Sequence, residues 1–494
     1  MTQMATFCMT NMREEVMKLN KMTISNDTVN DLPCEVGIKG KQSYYLSNRG
    51  NAISSRHDIM ATATLTSIRN KYDEHDNPYG IINIGISENK QCFDLLKERL
   101  IQKDMHHVEE SHLQYADWRG HRFLREAFAK FLTYHCKASS PLKTENIVVL
   151  NGGGSLFCAL SAVLCDPGDG LLIATPYYGA IITDISLYNN VRLFPAHTSS
   201  KIVKGTNRPF QLTVQTLEKG LRNAKLEGIK ISALILMNPH NPLADIYSES
   251  EMTEFLEFAK RNELHVIVNE VYMLSVFDEC ETFHSVLSFD RIPDPQRTHV
   301  MWGLSKDFSA SGLRVASVYS ENQDVINALA TLGFLHGLPG TIQYQVTQLL
   351  TDEDWINTVF LPTNRARLKE GHEYVTHILR ELDIPFLNRH AALYLWADFR
   401  KFLKTCTFEE EIALWNRFID NKVMIMCGKA FNCCEPGWFR IIFSETASKL
   451  ELAMMRLKMV IKEVEQEIQA ENGLCSCRQN VTGNLNSEES NGAD

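Results

Sequence analysis

No stretch of this chain stays apolar for the length a membrane-spanning helix requires. Its start, Met1-Thr2-Gln3-Met4, lacks the charged and then apolar run of a secretory leader. Positive charge is in deficit: 50 lysines and arginines stand against 60 aspartates and glutamates, for a net charge of −10, and no basic block stands out. That balance argues against a nucleic-acid or anionic-membrane partner. The 13 cysteines are an odd number scattered through apolar stretches, as at Cys158, Cys165 and Cys427. Their close pairs, Cys433-Cys434 and Cys475-Ser476-Cys477, have neither the spacing nor the histidine company of a zinc site, so reduced thiols and no metal are expected. Asn480-Val481-Thr482 should go unglycosylated, and no internal repeat is present. What these absences leave is a cytoplasmic globular chain suited to small-molecule chemistry. With 494 residues and 44% hydrophobic content it can bury a large core in two or three domains.

Between Asn146 and Ser320 strand and helix signals alternate. Apolar runs at Ile147 to Leu150, Leu171 to Ala174, Val191 to Pro195, Ile231 to Met237, His265 to Val268, His299 to Leu304 and Val315 to Tyr319 are separated mostly by amphipathic stretches. That rhythm predicts an α/β fold, with a mostly parallel seven-stranded sheet covered on both faces. Ser248-Glu249-Ser250-Glu251 is a capping box opening a helix, and Phe93, Leu95, Leu96, Leu100 and Ile101 recur at helical spacing from Cys92 to Met105. Strands at Ala392 to Trp396 and Phe439 to Phe443 among helices predict a smaller α+β domain. A last helix from Ser448 to about Ile468 should pack on it through Leu450, Met454, Leu457, Ile461 and Val464. The expected divisions are a tail or arm over 1–75, a small domain from 76–110 and 351–470, a large domain over 111–350, and a disordered tail over 471–494.

In parallel sheets ligands sit at the carboxyl ends of strands, and there the chain carries Lys306, Asn269, Asn241 and Gly152-Gly153-Gly154. Lys306 closes an apolar run and Arg314 follows eight positions later, which suits an amine nucleophile beside an anion clamp. Taken alone, this pair is more often a surface lysine and arginine. Asn151-Gly152-Gly153-Gly154-Ser155 offers free amides and a hydroxyl at a helix start. Thr175-Pro176-Tyr177-Tyr178 brings aromatic rings to the same edge, for packing or for stacking on a flat cofactor.

The combination is more specific. Asn241-Pro242-Leu243-Ala244, Asn269-Glu270-Val271-Tyr272, Ser305-Lys306-Asp307 with Arg314, and Gly437-Trp438-Phe439-Arg440 occur in the order of fold-type I pyridoxal-phosphate enzymes. From about Ile81 to Val464 the chain resembles class I aminotransferases, and within them the 1-aminocyclopropane-1-carboxylate synthases. Ser87-Glu88-Asn89-Lys90, Gln114-Tyr115-Ala116-Asp117-Trp118-Arg119-Gly120 and Val271-Tyr272-Met273-Leu274-Ser275-Val276-Phe277 resemble the vertebrate synthase-like members, most of all an inactive form. The resemblance implies pyridoxal 5′-phosphate held through a Schiff base on Lys306, which also shuttles protons. Gly154, Ser155 and Arg314 would hold its phosphate, Ser305 would also bind the cofactor, Tyr178 would stack on its ring, and Asn241 and Tyr272 would bond its phenolic oxygen. Arg440 would take a substrate α-carboxylate, Glu88 would line the substrate pocket, and Tyr115 would reach the phosphate of a second subunit in a homodimer.

Three positions depart from that pattern. Asn269 stands where the family carries the aspartate that pairs with the cofactor's ring nitrogen, Gly303 where it carries a hydroxyl, and Ala244 where it carries glycine. The expected outcome is a cofactor-binding fold with little or no synthase activity. The alternatives are an active aminotransferase or β-eliminating lyase on a small amino acid, and a non-catalytic dimeric scaffold that uses its two tails.

Overall fold

The computed structural model describes residues 43–55 and 58–485. The chain divides into two compact units, Met1–His57 and Asp58–Asp494. Among the described residues of the first, helix Asn48–Ser54 is capped by Ser47, whose hydroxyl accepts from the Gly50 amide at 3.0 Å.

The second unit is built on a seven-stranded sheet. Its strands are β1 (Ile147–Leu150), β2 (Gly170–Thr175), β3 (Arg192–His197), β4 (Ile231–Met237), β5 (His265–Asn269), β6 (Thr298–Gly303) and β7 (Ala316–Ser320). They lie in the order β1-β7-β6-β5-β4-β2-β3, and β7 runs antiparallel to both neighbours while the other pairs are parallel. Each expected strand is present. Most are buried along their whole length because helices cover both faces, which is why they read as continuous apolar runs.

Alternation divides their side chains between two cores. Leu172, Leu234, Val266, Val300 and Trp302 point to one, with Phe128, Phe131, Phe255 and Phe258 from helices Arg122–His135 and Glu249–Arg261. Leu171, Ile235, Met237, Ile267 and Met301 point to the other, with Leu156 and Leu160 of helix Gly153–Leu164. The expected capping box is formed, with the Ser248 hydroxyl accepting from the Glu251 amide at 3.2 Å.

The third core belongs to the smaller sheet. There β8 (Tyr394–Asp398) and β9 (Trp438–Ile442) pair antiparallel, with Trp396 opposite Arg440. Leu450, Met454, Leu457, Ile461 and Val464 of the last helix pack into it as expected.

The domain divisions need three corrections. Helix Ile59–Arg69 is no free arm, since Ala63 is buried beside Ile81 and Ile82 in the smaller sheet's core. Cys92, Leu96 and Met105 pack with the large sheet, as do Val346 to Leu361, so the large domain gains both segments. The apolar face of those helices is evident in the residues, but not which core it meets. The last helix is Ala447–Leu485, so the tail expected to be disordered from 471 is helical to 485. The stretch contains no proline, and the packed turns upstream supply the nucleus. Residues 486–494 lie outside the described chain.

Candidate active site

At the carboxyl ends of β4, β5 and β6 a cavity of about 200 Å³ opens, lined by Gly154, Tyr178, Asn241, Asn269, Tyr272, Ser305, Lys306 and Arg314 among others. Register explains part of this wall. Asn269 is opposite Met237 on one side and Met301 on the other, so all three face the cavity and the start of helix Gly153–Leu164. The next residue, Glu270, faces the other way. Its carboxylate accepts from the Ser285 hydroxyl at 2.6 Å and the Val286 amide at 2.9 Å, and burial pushes its pKa up to about 7.

Lys306 sits in the short turn Leu304–Asp307 that follows β6. Asp307 fixes this turn from behind, accepting from Trp302 Nε1 at 2.9 Å, Ser275 Oγ at 2.7 Å and the Leu274 amide at 3.2 Å. Lys306 is thereby aimed forward, and its Nζ donates to the Ser87 carbonyl.

Arg314 takes a left-handed conformation, φ 55°, and lays its guanidinium on Gly152. Any β-carbon at 152 would come within 2.5 Å of Arg314 Nη2, and Gly152 itself has φ 99°, so glycine is required there. Ala244 also adopts a positive φ, 56°, a strain of roughly 1 kcal/mol for a residue with a β-carbon.

Arg440 is 1% exposed and has no carboxylate partner among the described residues. Its Nη1 donates to Asn241 Oδ1 at 2.8 Å and its Nη2 to the Gly85 carbonyl at 2.6 Å, while Nε is buried without a partner. Phe431 and Tyr394 lie against it at 4.5 and 5.0 Å. Burial lowers its pKa and also raises that of Tyr178, to about 12. A buried guanidinium held only by neutral acceptors is a site for an anion.

Four expected residues stand outside the cavity wall, Arg440 and three more. Ser155 is on the same helical turn as Gly154 but outside the cavity wall, its hydroxyl 3.5 Å from the Asn151 carbonyl. Glu88 is exposed and also outside the wall, where it accepts from Ser311 Oγ at 3.1 Å. Tyr115 is 99% exposed and touches nothing in this cavity.

Two contributors were given no role by the sequence, although one of them, Ser87, lies in a motif that carries the resemblance. Asp184 lines the cavity and would meet a β-carbon on Gly154 at 2.8 Å, yet it belongs to an unremarkable helix, Ile181–Ser186. Ser87 reaches Tyr272 across 185 residues.

A twisted seven-stranded sheet with a lysine after β6, an arginine laid on a glycine turn and a buried arginine from the second sheet defines a class of enzyme fold. The profile described as Aminotransferase class I and II matches residues 80–457, and the chain belongs to that family. It is 57% identical over 417 residues to human 1-aminocyclopropane-1-carboxylate synthase-like protein 1, covering 84% of this chain and 83% of that one. It is 50% identical over 435 residues to human probable inactive 1-aminocyclopropane-1-carboxylate synthase-like protein 2, covering 88% and 76%. Of these two the first has the higher identity, the reverse of the order its motifs suggest. Arabidopsis thaliana 1-aminocyclopropane-1-carboxylate synthase 4 is 30% identical over 434 residues, covering 85% and 89%. Among solved structures, a Thermus thermophilus aspartate aminotransferase double mutant superimposes with a TM-score of 0.69 at 17% identity, covering 84% of this chain and 99% of the other, which shows the fold alone.

Proposed function

We propose that this cavity binds pyridoxal 5′-phosphate and that Asn269 leaves the protein with little synthase activity. The observation that carries the binding half is a pair of cations, Lys306 and Arg314, that line the cavity without an ion pair among the described residues, with Arg440 of the second sheet joined to the cavity-lining Asn241. The donor set fits the cofactor: Arg314 and the helix start at Gly153 face a phosphate, Tyr178 a ring, Asn241 and Tyr272 a phenolic oxygen, and Lys306 an aldehyde. When bound, the cofactor supplies an electron sink for a carbanion at the substrate's α-carbon. Lys306 would then hold or move the proton at that carbon, and Arg440 would orient the α-carboxylate.

Asn269 carries the second half. Its amide is neutral, and its Oδ1 already accepts from the Val271 amide at 3.3 Å, so this side chain would not hold a proton on the cofactor's ring nitrogen. Charge flowing to that nitrogen in the transition state goes uncompensated. Asn269→Asp is expected to raise turnover of an amino acid substrate by roughly tenfold or more; an unchanged rate would remove this explanation. Binding is tested separately, by the visible spectrum with added pyridoxal phosphate and borohydride labelling mapped to Lys306. No band and no label at saturating cofactor would defeat the reading.

A second reading, an aminotransferase or β-eliminating lyase on a small amino acid, is favoured by the remaining groups being in place. It requires 2-oxo acid formation that Lys306→Ala abolishes. The exposed Tyr115, with Leu113 at 75% exposure beside it, supports a homodimer. Sedimentation that gives a monomer at micromolar concentration would overturn that.

A further inference from the structure

The segment that follows the two-residue strand Ile82–Asn83 touches each functional cation or its neighbour. The Gly85 carbonyl accepts from Arg440 Nη2, the Ser87 carbonyl from Lys306 Nζ, and the Glu88 carboxylate from Ser311, whose own carbonyl accepts from Arg314 Nη1 at 3.1 Å. Within it, Ser87 is buried at 4% exposure, and its hydroxyl lies 3.0 Å from the phenol of Tyr272. The two form the buried hydroxyl pair of the site.

A phenol has one hydrogen to donate. Tyr272 therefore either spends it on Ser87 or, receiving one from Ser87, keeps it for an acceptor in the cavity. Its other aromatic neighbour, Tyr394, crosses Tyr272 edge-on at 5.5 Å and gives its own hydroxyl hydrogen to the His240 carbonyl at 3.3 Å, so it meets the Tyr272 hydroxyl as an acceptor and does not compete as a donor. Any anionic oxygen facing Tyr272 selects the arrangement in which Ser87 donates, because that arrangement leaves a donor pointing at the charge and makes it a stronger one.

We propose that Ser87 is a positioning residue for Tyr272, orienting and strengthening the hydrogen bond that the phenol donates to the ring oxygen of bound pyridoxal phosphate. The inference rests on the cofactor reading above and goes beyond it by assigning the control of Tyr272 to a residue that never touches the cofactor. Hydrogen bonds donated to that oxygen draw its negative charge away from the Lys306 nitrogen. Weakening one raises that nitrogen's hold on its proton.

The test is a pH titration of the visible band of the pyridoxal-phosphate-loaded protein, a quantity that a merely structural serine would not move. Ser87→Ala should raise the midpoint by about half a pH unit or more. Ser87→Thr, which keeps the hydroxyl, should restore the wild-type midpoint, and Ser87→Ala should shift nothing further in a Tyr272→Phe background. If the alanine variant does not hold cofactor, Ser87→Cys, similar in shape but a weaker donor, is titrated in its place and should move the same way. A midpoint unchanged in both, or an equal shift with Tyr272 already removed, overturns the proposal while leaving the cofactor site standing. A wild-type protein with no visible band brings down the cofactor reading and the Ser87 assignment with it.

Discussion

The residue with the least ordinary environment is Arg440. A guanidinium at 1% exposure normally sits against a carboxylate, since burying it alone is costly. Here its charge is met by one amide oxygen, one backbone carbonyl and two aromatic faces, which stabilise it without neutralising it. The arrangement leaves the charge without a carboxylate among the described residues. Because Nη1 and Nη2 are already committed to Asn241 and Gly85, orientation is set before any ligand arrives. Lysine would keep the charge and lose the orientation. Arg440→Lys is expected to weaken binding of amino acid carboxylates by roughly tenfold or more, measured as quenching of the cofactor band, with thermal unfolding little changed. Equal affinity in the variant would mean that the fork plays no part in carboxylate recognition.

At the level of elements, the pairing of β6 with β7 decides what position 303 can hold. Gly303 faces Ala316 across the antiparallel register, and a β-carbon at 303 would come within 2.8 Å of both the Ala316 methyl and the Val315 carbonyl. The two strands have closed over the space that a hydroxyl-bearing residue would occupy. Restoring serine therefore does not simply restore a phosphate ligand. Gly303→Ser should lower the unfolding free energy by roughly 1 to 3 kcal/mol, and Ala316→Gly in the same chain should recover part of it; additive losses in the double variant would refute the contact. The loss of the hydroxyl and the close pairing are one change seen from two sides. This is also where legibility in the residues ended. Seven strands were readable because each is an apolar run between amphipathic helices, and Lys306, Arg314, Asn269 and Tyr272 because strand ends collect ligand-facing groups. Position 303 read as a missing hydroxyl, but the closeness of Ala316 is a fact of pairing, not of order along the chain. Asp184 and Ser87 were hidden for the same reason: their partners are fixed by how the elements meet. Glu88 and Ser155 were placed by motif, and the motif carries a residue's neighbourhood but not the direction of its side chain.

At the level of the whole molecule, three carboxyls are buried without an ion pair among the described residues, and the nearest cations, Arg365 for Asp307 and Lys429 for Glu411, offset their burial only in small part. Glu270, Asp307 and Glu411 each accept hydrogen bonds from neutral donors, and burial pushes each pKa up to about 7. Glu411 is the most telling, because its two oxygens accept from the Lys429 amide at 2.8 Å and the Gly437 amide at 2.6 Å. These bonds bracket the segment that carries Phe431 under Arg440 and leads into β9. In the unfolded chain the same carboxyls release their protons at their ordinary values, 4.5 for the glutamates and 3.8 for the aspartate. Between those values and about 7 these three carboxyls bind more protons in the folded protein than in the unfolded one, so their contribution to stability falls as pH rises, while the buried His135, His240, His299 and His372, whose pKa values burial lowers, contribute in the opposite sense. The contribution is fully present below the unfolded values and is lost as pH passes through about 7. For Glu411 it amounts to roughly 3 kcal/mol. Charged pairs such as Arg367 with Asp94 act in the opposite sense, lowering the aspartate's pKa, but Asp94 is exposed and screened. Urea unfolding of the wild type and of a Glu411 variant at pH 5 and pH 8 isolates this group, because the other titrating groups are common to both proteins. Glu411→Gln should narrow the difference in unfolding free energy between the two pH values by roughly 3 kcal/mol, although it lowers stability at both by sparing only one of the two backbone bonds. A difference as wide as in the wild type would show that Glu411 is ionised in the folded protein and that its two amide bonds, not a retained proton, support the segment beneath Arg440.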